Sequence, residues 1–320
     1  MKSLNENNTP VVRVQRKTPG VMAVTWVINN ICTNACKYCP PNLHKGKNHH
    51  YDWENAKRFW QLLLNKYDKL HVSISGGEPT LSPFLLDFSK MIYDTGGKIG
   101  ITTNFARTPR YMAQLAPYLA YISSSFHPSF EDKQFLEKAL AAADITPTNI
   151  RVMMDSNHWD TALKFLDSCK KHKNITVEAV KILDWMPGNM AGRNYTEEQL
   201  KWFENTNLFQ EAEVWPKSKK YFDSGSDMHF EDGEVIYSNG NEQELINAGK
   251  TNFKGWKCHM GLESLFIQYT GKIQMANCFQ GGVIGDINEP EKINWPSEPS
   301  ICIKDRCHCT IDVLLTKEKV

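Results

Sequence analysis

The sequence predicts an α/β protein: a partial (β/α)6 TIM-like barrel followed by a small module rich in loops and hairpins. Three observations lead there. Between residues 20 and 185, six β-rich apolar runs alternate with segments of helical period. Such alternation implies parallel strands joined by right-handed crossovers. After about residue 205 the chain turns to short strands and tight turns, and its cysteines gather in two groups, one near each end. Six strand–helix units suit an incomplete barrel better than a closed eight-fold one, although a doubly wound open sheet fits the same alternation. The expected division is an extension over 1–19, the barrel over 20–204 and the module over 205–320.

The strands are expected at 21–28, 71–75, 98–103, 121–125, 150–154 and 175–182, where β-branched and apolar residues run together. Between them, 53–67 carries Trp53, Ala56, Phe59, Trp60, Leu63 and Tyr67 on one helical face, with Asp52 as N-cap. Segments 83–93, 109–119, 130–143 and 158–172 read as further helices. In the C-terminal part, Glu231-Asp232-Gly233-Glu234 and Tyr269-Thr270-Gly271-Lys272 each lie between alternating arms and predict two hairpins. In parallel α/β sheets chemistry gathers at the C-terminal ends of the strands, so those positions carry the search for a site.

Charge and hydropathy narrow the function. Thirty-seven Lys and Arg balance 36 Asp and Glu, for a net charge of +1, so no basic face calls for nucleic acid or an anionic membrane. The short runs Lys170-Lys171-His172-Lys173 and Lys217 to Lys220 read as solvated faces. No apolar run approaches the roughly 20 residues that span a bilayer. The first 20 residues hold no apolar signal segment, so a cytoplasmic, reducing setting is expected and the nine cysteines need a reason other than disulfides.

Cys32, Cys36 and Cys39 stand on a loop directly after the first strand, as Cys-x3-Cys-x-Tyr-Cys. Three thiolates leave one iron of a four-iron cluster open. The competing reading is a tetrahedral zinc site completed by His44, His49 or His50. After the second strand comes Gly76-Gly77-Glu78-Pro79: glycines that let backbone approach a ligand, and a carboxylate able to accept from an ammonium group.

Together these two motifs closely resemble the radical S-adenosylmethionine (radical SAM) enzymes, and the resemblance extends over residues 20–185. It implies a [4Fe-4S] cluster on Cys32, Cys36 and Cys39 whose open iron chelates SAM. It also implies adenine near Tyr38 and the methionyl ammonium at Gly76, Gly77 and Glu78. Asn104 matches a strand-end Thr-Asn of many members, Ser123 and Ser125 share a face of the fourth strand within reach of ribose or carboxylate, and Arg151 matches an arginine on the SAM carboxylate. The implied chemistry is reductive cleavage of SAM to a 5′-deoxyadenosyl radical that abstracts hydrogen, with an electron donor such as flavodoxin or ferredoxin.

Cys258, Cys278 after the second hairpin, and Cys302, Cys307 and Cys309 resemble the SPASM and twitch auxiliary-cluster extensions of the same superfamily. Five cysteines are too few for two auxiliary clusters, so the resemblance implies one [4Fe-4S] cluster, on Cys258, Cys278 and two of Cys302, Cys307 and Cys309, whose spacing departs from the usual Cys-x2-Cys; the set taken is Cys258, Cys278, Cys307 and Cys309, with structural zinc as the alternative. Cys302 is then spare, a candidate hydrogen-atom donor to a substrate radical, while Cys169 falls on an apolar helical stripe and reads as core. Members with such modules act on peptides or small molecules, by epimerisation, dehydrogenation or cross-linking. Asp184, Trp185 and Arg193 are candidates to line the substrate mouth, and His127-Pro128 faces the same side. A non-catalytic iron-sulfur electron carrier and a zinc-stabilised binding protein remain the alternatives.

Overall fold

The computed structural model describes residues 4, 6–47, 50–130, 132–183, 194–216, 225–238 and 242–320. Strand β1 (Val11–Arg16) opens the chain, and β2 (Val21–Val27), β3 (Lys69–Ser75), β4 (Lys98–Thr103), β5 (Tyr121–Phe126), β6 (Thr148–Met153) and β7 (Thr176–Val180) pair successively in parallel. Helices α1 (Trp53–Lys66), α2 (Leu85–Asp94), α3 (Pro109–Leu115), α4 (Phe135–Ala143) and α5 (Trp159–Cys169) make the crossovers. The Asp52 carboxylate caps α1 by accepting from the backbone N–H groups of Glu54 and Asn55. The helix expected over 109–119 stops at Leu115 and tightens to a 3-10 turn over Ala116–Tyr118, because Pro117 has no N–H to continue the ladder.

The sheet is an open partial barrel of ten strands. Beyond β7, β8 (Phe209–Gln210) adds antiparallel after α6 (Glu197–Asn205). The hairpin of β9 (Ser226–Phe230) and β10 (Val235–Ser238) forms as expected, with Gly233 at φ +85° in its turn, and is followed by α7 (Glu242–Asn247) and β11 (Lys257–Cys258). The second expected hairpin, β12 (Ser264–Ile267) with β13 (Lys272–Gln274), joins the barrel sheet: β12 lies parallel to β2, and β14 (Val283–Asp286) pairs with β13. After β15 (Ser300–Ile301), the short α8 (Thr310–Val313) and β16 (Lys317–Glu318) end the chain.

The N-terminal extension differs most from expectation. β1 is a central strand of a second, six-stranded sheet in the order β10-β9-β1-β16-β11-β15. Val11 and Val14 are buried in its core with Met228, Phe230, Leu245 and Phe253. A run of β-branched residues, Val11-Val12-Arg13-Val14, carried that signal. The first and last strands of the chain thus close one sheet.

Alternation along each barrel strand separates two faces. Met22, Val24, Trp26, Leu70, Val72, Ile74, Ile99 and Ile101 face the helices and are at most 1% exposed. Trp26 lies at the centre, 5.0 Å from the Trp60 ring and 4.9 Å edge-on to Phe88, and truncating such a residue costs about 3–5 kcal/mol. The opposite face carries Thr25, Ser73, Ser125, Arg151 and Glu178. A polar lumen therefore opens at the strands' C-terminal ends, where both N-terminal motifs lie.

Candidate active site

The cysteine loop is bound edge to edge to the exit of β3. Ile28 donates to the Ser75 carbonyl (2.9 Å), Gly77 to Asn29 (2.9 Å) and Glu78 to Ile31 (2.7 Å). The Asn29 carboxamide returns a bond to the Glu78 carbonyl at 3.0 Å. The glycines are required by this approach: a Cβ on Gly76, at φ +149°, would meet the Asn29 oxygen at 2.5 Å, and one on Gly77 would meet the Ile31 oxygen at 2.4 Å. Gly76 and Gly77 thus seat the loop that presents Cys32, Cys36 and Cys39.

Glu78, expected with Gly76 and Gly77 in the segment that holds the methionyl ammonium, has its carboxylate occupied by the chain itself. It is fully buried, and its carboxylate accepts from the Thr80 N–H (2.9 Å), the Thr80 and Thr103 hydroxyls (2.6 Å each) and the Asn104 N–H (2.6 Å). Burial pushes its pKa up, against those bonds. The carboxylate joins the ends of β3 and β4 and sets Asn104. Beyond it, Phe105 takes φ +57°, a strained conformation for a bulky residue. It is held by its N–H to the Thr103 hydroxyl (2.9 Å) and by the buried Lys138 ammonium on its carbonyl (2.9 Å). Lys138 also pairs with Asp132 at 2.5 Å.

Asn104 is consequently aimed at the cysteine loop. Its Nδ2 donates to the Cys32 sulfur at 3.5 Å and to the Thr33 hydroxyl at 3.4 Å, while the Asn34 N–H reaches the same sulfur at 3.3 Å. The Asn104 Oδ1 is buried and has no hydrogen-bond partner among the described residues. An orphaned acceptor of this kind costs about 1–3 kcal/mol and fits a ligand that brings an N–H donor.

Tyr38 presents its hydroxyl to His127 Nδ1 at 2.6 Å, with the two rings stacked at 5.9 Å. Burial holds the imidazole down at about 4, so it is neutral near pH 7, and pushes the phenol up. This pair stands between two cavities. One of about 240 Å³ is lined by Asn34, Asn104, Ser125, His127 and Lys138; the other, of about 500 Å³, by Tyr38, Asp155, His158 and Tyr195. Phe130 borders both. Burial raises the Cys32 and Cys39 thiols and takes Cys36 to about 12, so metal loading must release their protons.

The remaining expected residues divide. Ser125 reaches the 240 Å³ cavity, whereas Ser123, on the same face, lines a separate opening with Tyr121, Asn149 and Thr176. Arg151 is directly opposite Glu178 on β7 and pairs with it at 3.1 Å; strand register brings the two charges together. His50 packs against the Tyr269 ring at 5.4 Å, and His49, Asp184, Trp185, Arg193 and Lys217 to Lys220 lie outside the described residues. Among the described residues, no three His, Cys, Asp or Glu side chains converge on a single-ion site. Cys169 is fully buried in the core. Sequence reasoning missed the Tyr38–His127 bond and the Lys138 brace, since each joins residues far apart in the chain.

Four of the five C-terminal cysteines pack in two adjoining cores. Cys258, Cys278 and Cys302 pack with Met260, Met275 and Leu315, and Cys302 and Cys307 border the adjoining core. Backbone bonds fix their carriers: Cys302 donates to Trp256 (2.8 Å) and Cys307 to Thr251 (2.9 Å). The buried Asp312 carboxylate accepts from the Cys278 N–H at 3.0 Å. Burial raises Cys258 and Cys278, and takes Cys307 to about 12 and Cys309 to about 11.

The N-terminal donor set, three thiols on one loop beside an orphaned Asn104 oxygen, fits a four-iron cluster with one open iron and a ligand that carries an N–H donor. The sequence matches the Radical SAM superfamily over residues 26–188. A comparison with curated proteins finds no match. Among solved structures, Streptococcus suis SuiB bound to precursor peptide SuiA is similar at a TM-score of 0.51 and 13% identity, over 85% of this chain and 63% of that one. SuiB alone gives 0.46 and 14%, over 85% and 64%. Native anSMEcpe with bound AdoMet and Cp18Cys peptide gives 0.45 and 16%, over 84% and 78%. The chain thus spans somewhat less than two thirds of SuiB. Among the described residues no helix is long and apolar enough to cross a membrane. With the superfamily match covering just over half its length, on the fold and motifs described, the chain belongs to the radical SAM superfamily.

Proposed function

We propose that the protein binds SAM against a [4Fe-4S] cluster held by Cys32, Cys36 and Cys39 and modifies a peptide by hydrogen abstraction, in the cytoplasm, with electrons from a flavodoxin or ferredoxin. When bound, cluster and SAM together supply a carbon radical strong enough to break an unactivated C–H bond. The observation that carries the reading is the joint between the motifs, the cysteine loop bonded to the Gly76–Glu78 exit with Asn104 turned toward Cys32.

In this reading Asn104 Oδ1 accepts from the methionyl ammonium, a role that the saturated Glu78 leaves open, while Gly76 and Gly77 shape the floor. Ser125 lies on the wall of the same cavity, and the Tyr38–His127 pair braces the adenine side. Arg151 reaches the SAM carboxylate only if it exchanges Glu178 for it, and Ser123 is left to a supporting place below. The larger cavity, beside Asp155 and Tyr195, receives substrate. A peptide is favoured over a small metabolite by the fold likeness to SuiB bound to its precursor peptide.

The C-terminal cysteines hold one auxiliary [4Fe-4S] cluster in a twitch-like module, on Cys258, Cys278, Cys307 and Cys309. Cys302 is spare, a candidate hydrogen-atom donor beside it. The division into a barrel over 20–204 and a module over 205–320 belongs to the same proposal, with β1 and β12 tying the two together.

The test is anaerobic purification with iron and sulfide measured per chain, and 5′-deoxyadenosine measured with reductant. About eight irons with SAM cleavage is the expected result for two four-iron clusters. Replacing Cys32, Cys36 and Cys39 by Ala should abolish cleavage and leave about four irons. Cleavage that survives this replacement refutes the reading. Zinc in place of iron, or iron without SAM cleavage, establishes the binding protein or the electron carrier instead.

A further inference from the structure

Lys317 is an unusual residue to find inside a protein. Only 1% of it is exposed, and long cationic side chains are rarely buried unless something compensates the charge. Its ammonium donates to the carbonyl oxygens of Asp312, Val313 (3.2 Å) and Leu315 (3.1 Å) and lies 4.9 Å from the Phe253 ring centroid. Three carbonyls and a ring satisfy its hydrogen bonds, and among the described residues no carboxylate pairs with it directly.

That charge is carried on a strand beside Cys258. On the antiparallel strands β11 and β16, Lys317 is the direct cross-strand partner of Cys258, so both side chains leave the same face of the sheet with Cβ atoms about 5 Å apart. Its field acts on Cys258 and on Cys307. A negative counterpart lies nearby, on the residue whose backbone carbonyl Lys317 binds. Asp312, 3% exposed, binds the Cys278 N–H at 3.0 Å, and its charge acts on Cys258, Cys278, Cys307 and Cys309. Four of the five thiols therefore feel the buried anion, and two of those four, Cys258 and Cys307, feel the buried cation as well.

We propose that Lys317 sets the reduction potential of the C-terminal cluster, raising it, with Asp312 as the opposing charge; the inference rests on the auxiliary-cluster reading above. The reduced cluster carries one more negative charge than the oxidised cluster with the same thiolates. A fixed cation nearby stabilises the reduced form more, and a fixed anion stabilises it less. Burial keeps water and salt from screening either effect. Lys317 is a positioning residue in charge, not a ligand: it leaves iron binding to the thiols and decides how readily the bound cluster takes an electron.

The experiment uses the full chain with Cys32, Cys36 and Cys39 replaced by Ala, so that only the C-terminal cluster remains, reconstituted without oxygen and titrated with reductant under electron paramagnetic resonance. Lys317→Gln keeps N–H donors for the carbonyls and removes the charge. The expected result is at least a tenfold fall in the reduced-to-oxidised ratio at fixed potential, ~59 mV for one electron. Lys317→Arg should restore the parent ratio, and Asp312→Asn should raise it. Unchanged ratios in a fully loaded Lys317→Gln chain overturn the inference while leaving the cluster reading intact. Should that variant fail to load iron, Asp312→Asn decides alone: no rise in the ratio overturns the inference. A parent chain without iron at this site overturns the cluster reading and this inference with it.

Discussion

Replacing Glu78 by Gln should destabilise the chain even when it holds no iron and no SAM, because the carboxylate is spent on the protein itself. Its two oxygens accept four bonds, from Thr80 N–H and hydroxyl, the Thr103 hydroxyl and the Asn104 N–H at 2.6 Å. A carboxamide of the same shape offers one acceptor atom. Turned toward Thr80 and Thr103, it sets an NH2 against the Asn104 N–H, and turned the other way it sets one against three donors. The hydroxyls can rotate to other partners, but a backbone N–H cannot. One buried N–H left unpaired costs about 1–3 kcal/mol, so the expected loss is ~2 kcal/mol. Glu78→Ala strands both backbone N–H groups, for about 2–6 kcal/mol, a large share of the ~5–15 kcal/mol that holds a folded domain. The assay is urea unfolding of the metal-free chain followed by tryptophan fluorescence, with Trp26 and Trp60 in the adjoining core. An unfolding midpoint for Glu78→Gln equal to that of the parent, at equal slope, would refute the reasoning. Should that variant instead lose only SAM affinity, Glu78 acts on the ligand and its bonds to Thr80, Thr103 and Asn104 carry no weight.

Further outcomes follow from the same geometry. Gly77→Ala places a Cβ 2.4 Å from the Ile31 oxygen and 2.6 Å from the Leu43 oxygen; since backbone cannot yield as a side chain does, the cysteine loop must shift. The first cluster's iron should fall toward the level of the three-cysteine variant, and full iron content would count against this. Asn104→Ala removes the orphaned acceptor yet keeps the backbone N–H on Glu78. Its SAM dissociation constant, by equilibrium dialysis of the reconstituted enzyme, should rise about tenfold, or ~1.4 kcal/mol, while the metal-free unfolding midpoint does not fall, since the unpartnered oxygen is removed; an unchanged constant contradicts the assignment. His127 is held down from 6.5 to about 4 by burial, so between those values the unfolded chain takes a proton that the folded chain refuses. Stability should be full above pH 6.5, fall as the pH drops toward 4, and lose nothing more from this residue below that. His127→Gln should flatten that part of the profile, and an identical profile would show that the imidazole titrates normally.

Much of this arrangement is legible in the sequence because it depends on local pattern. Apolar runs with β-branched residues mark β2 to β7, and the periodicity of Trp53 to Leu63 marks α1, since burial of one face follows directly from spacing. The cysteine triplet and Gly76-Gly77-Glu78-Pro79 are equally local, and they identify the superfamily without coordinates. Even Asp52 as a cap and Gly233 as a turn residue are decided within a few positions.

Tertiary structure decided what depends on partners distant in the chain. No local pattern says that Val11–Arg16 pairs with strands more than 200 residues away, or that β12 returns to lie beside β2; strand pairing is chosen by which edge remains open once the rest has folded. The same holds for single side chains. Glu78 reads as an acceptor for an ammonium until Thr103 and Asn104 are brought against it, Arg151 as a partner for a ligand carboxylate until register sets it opposite Glu178, and nothing local marks Lys317 as buried until β16 takes its place between β1 and β11. The chemical type of each group is written in the sequence, but whether its charge is free, paired or buried is a property of the packed chain.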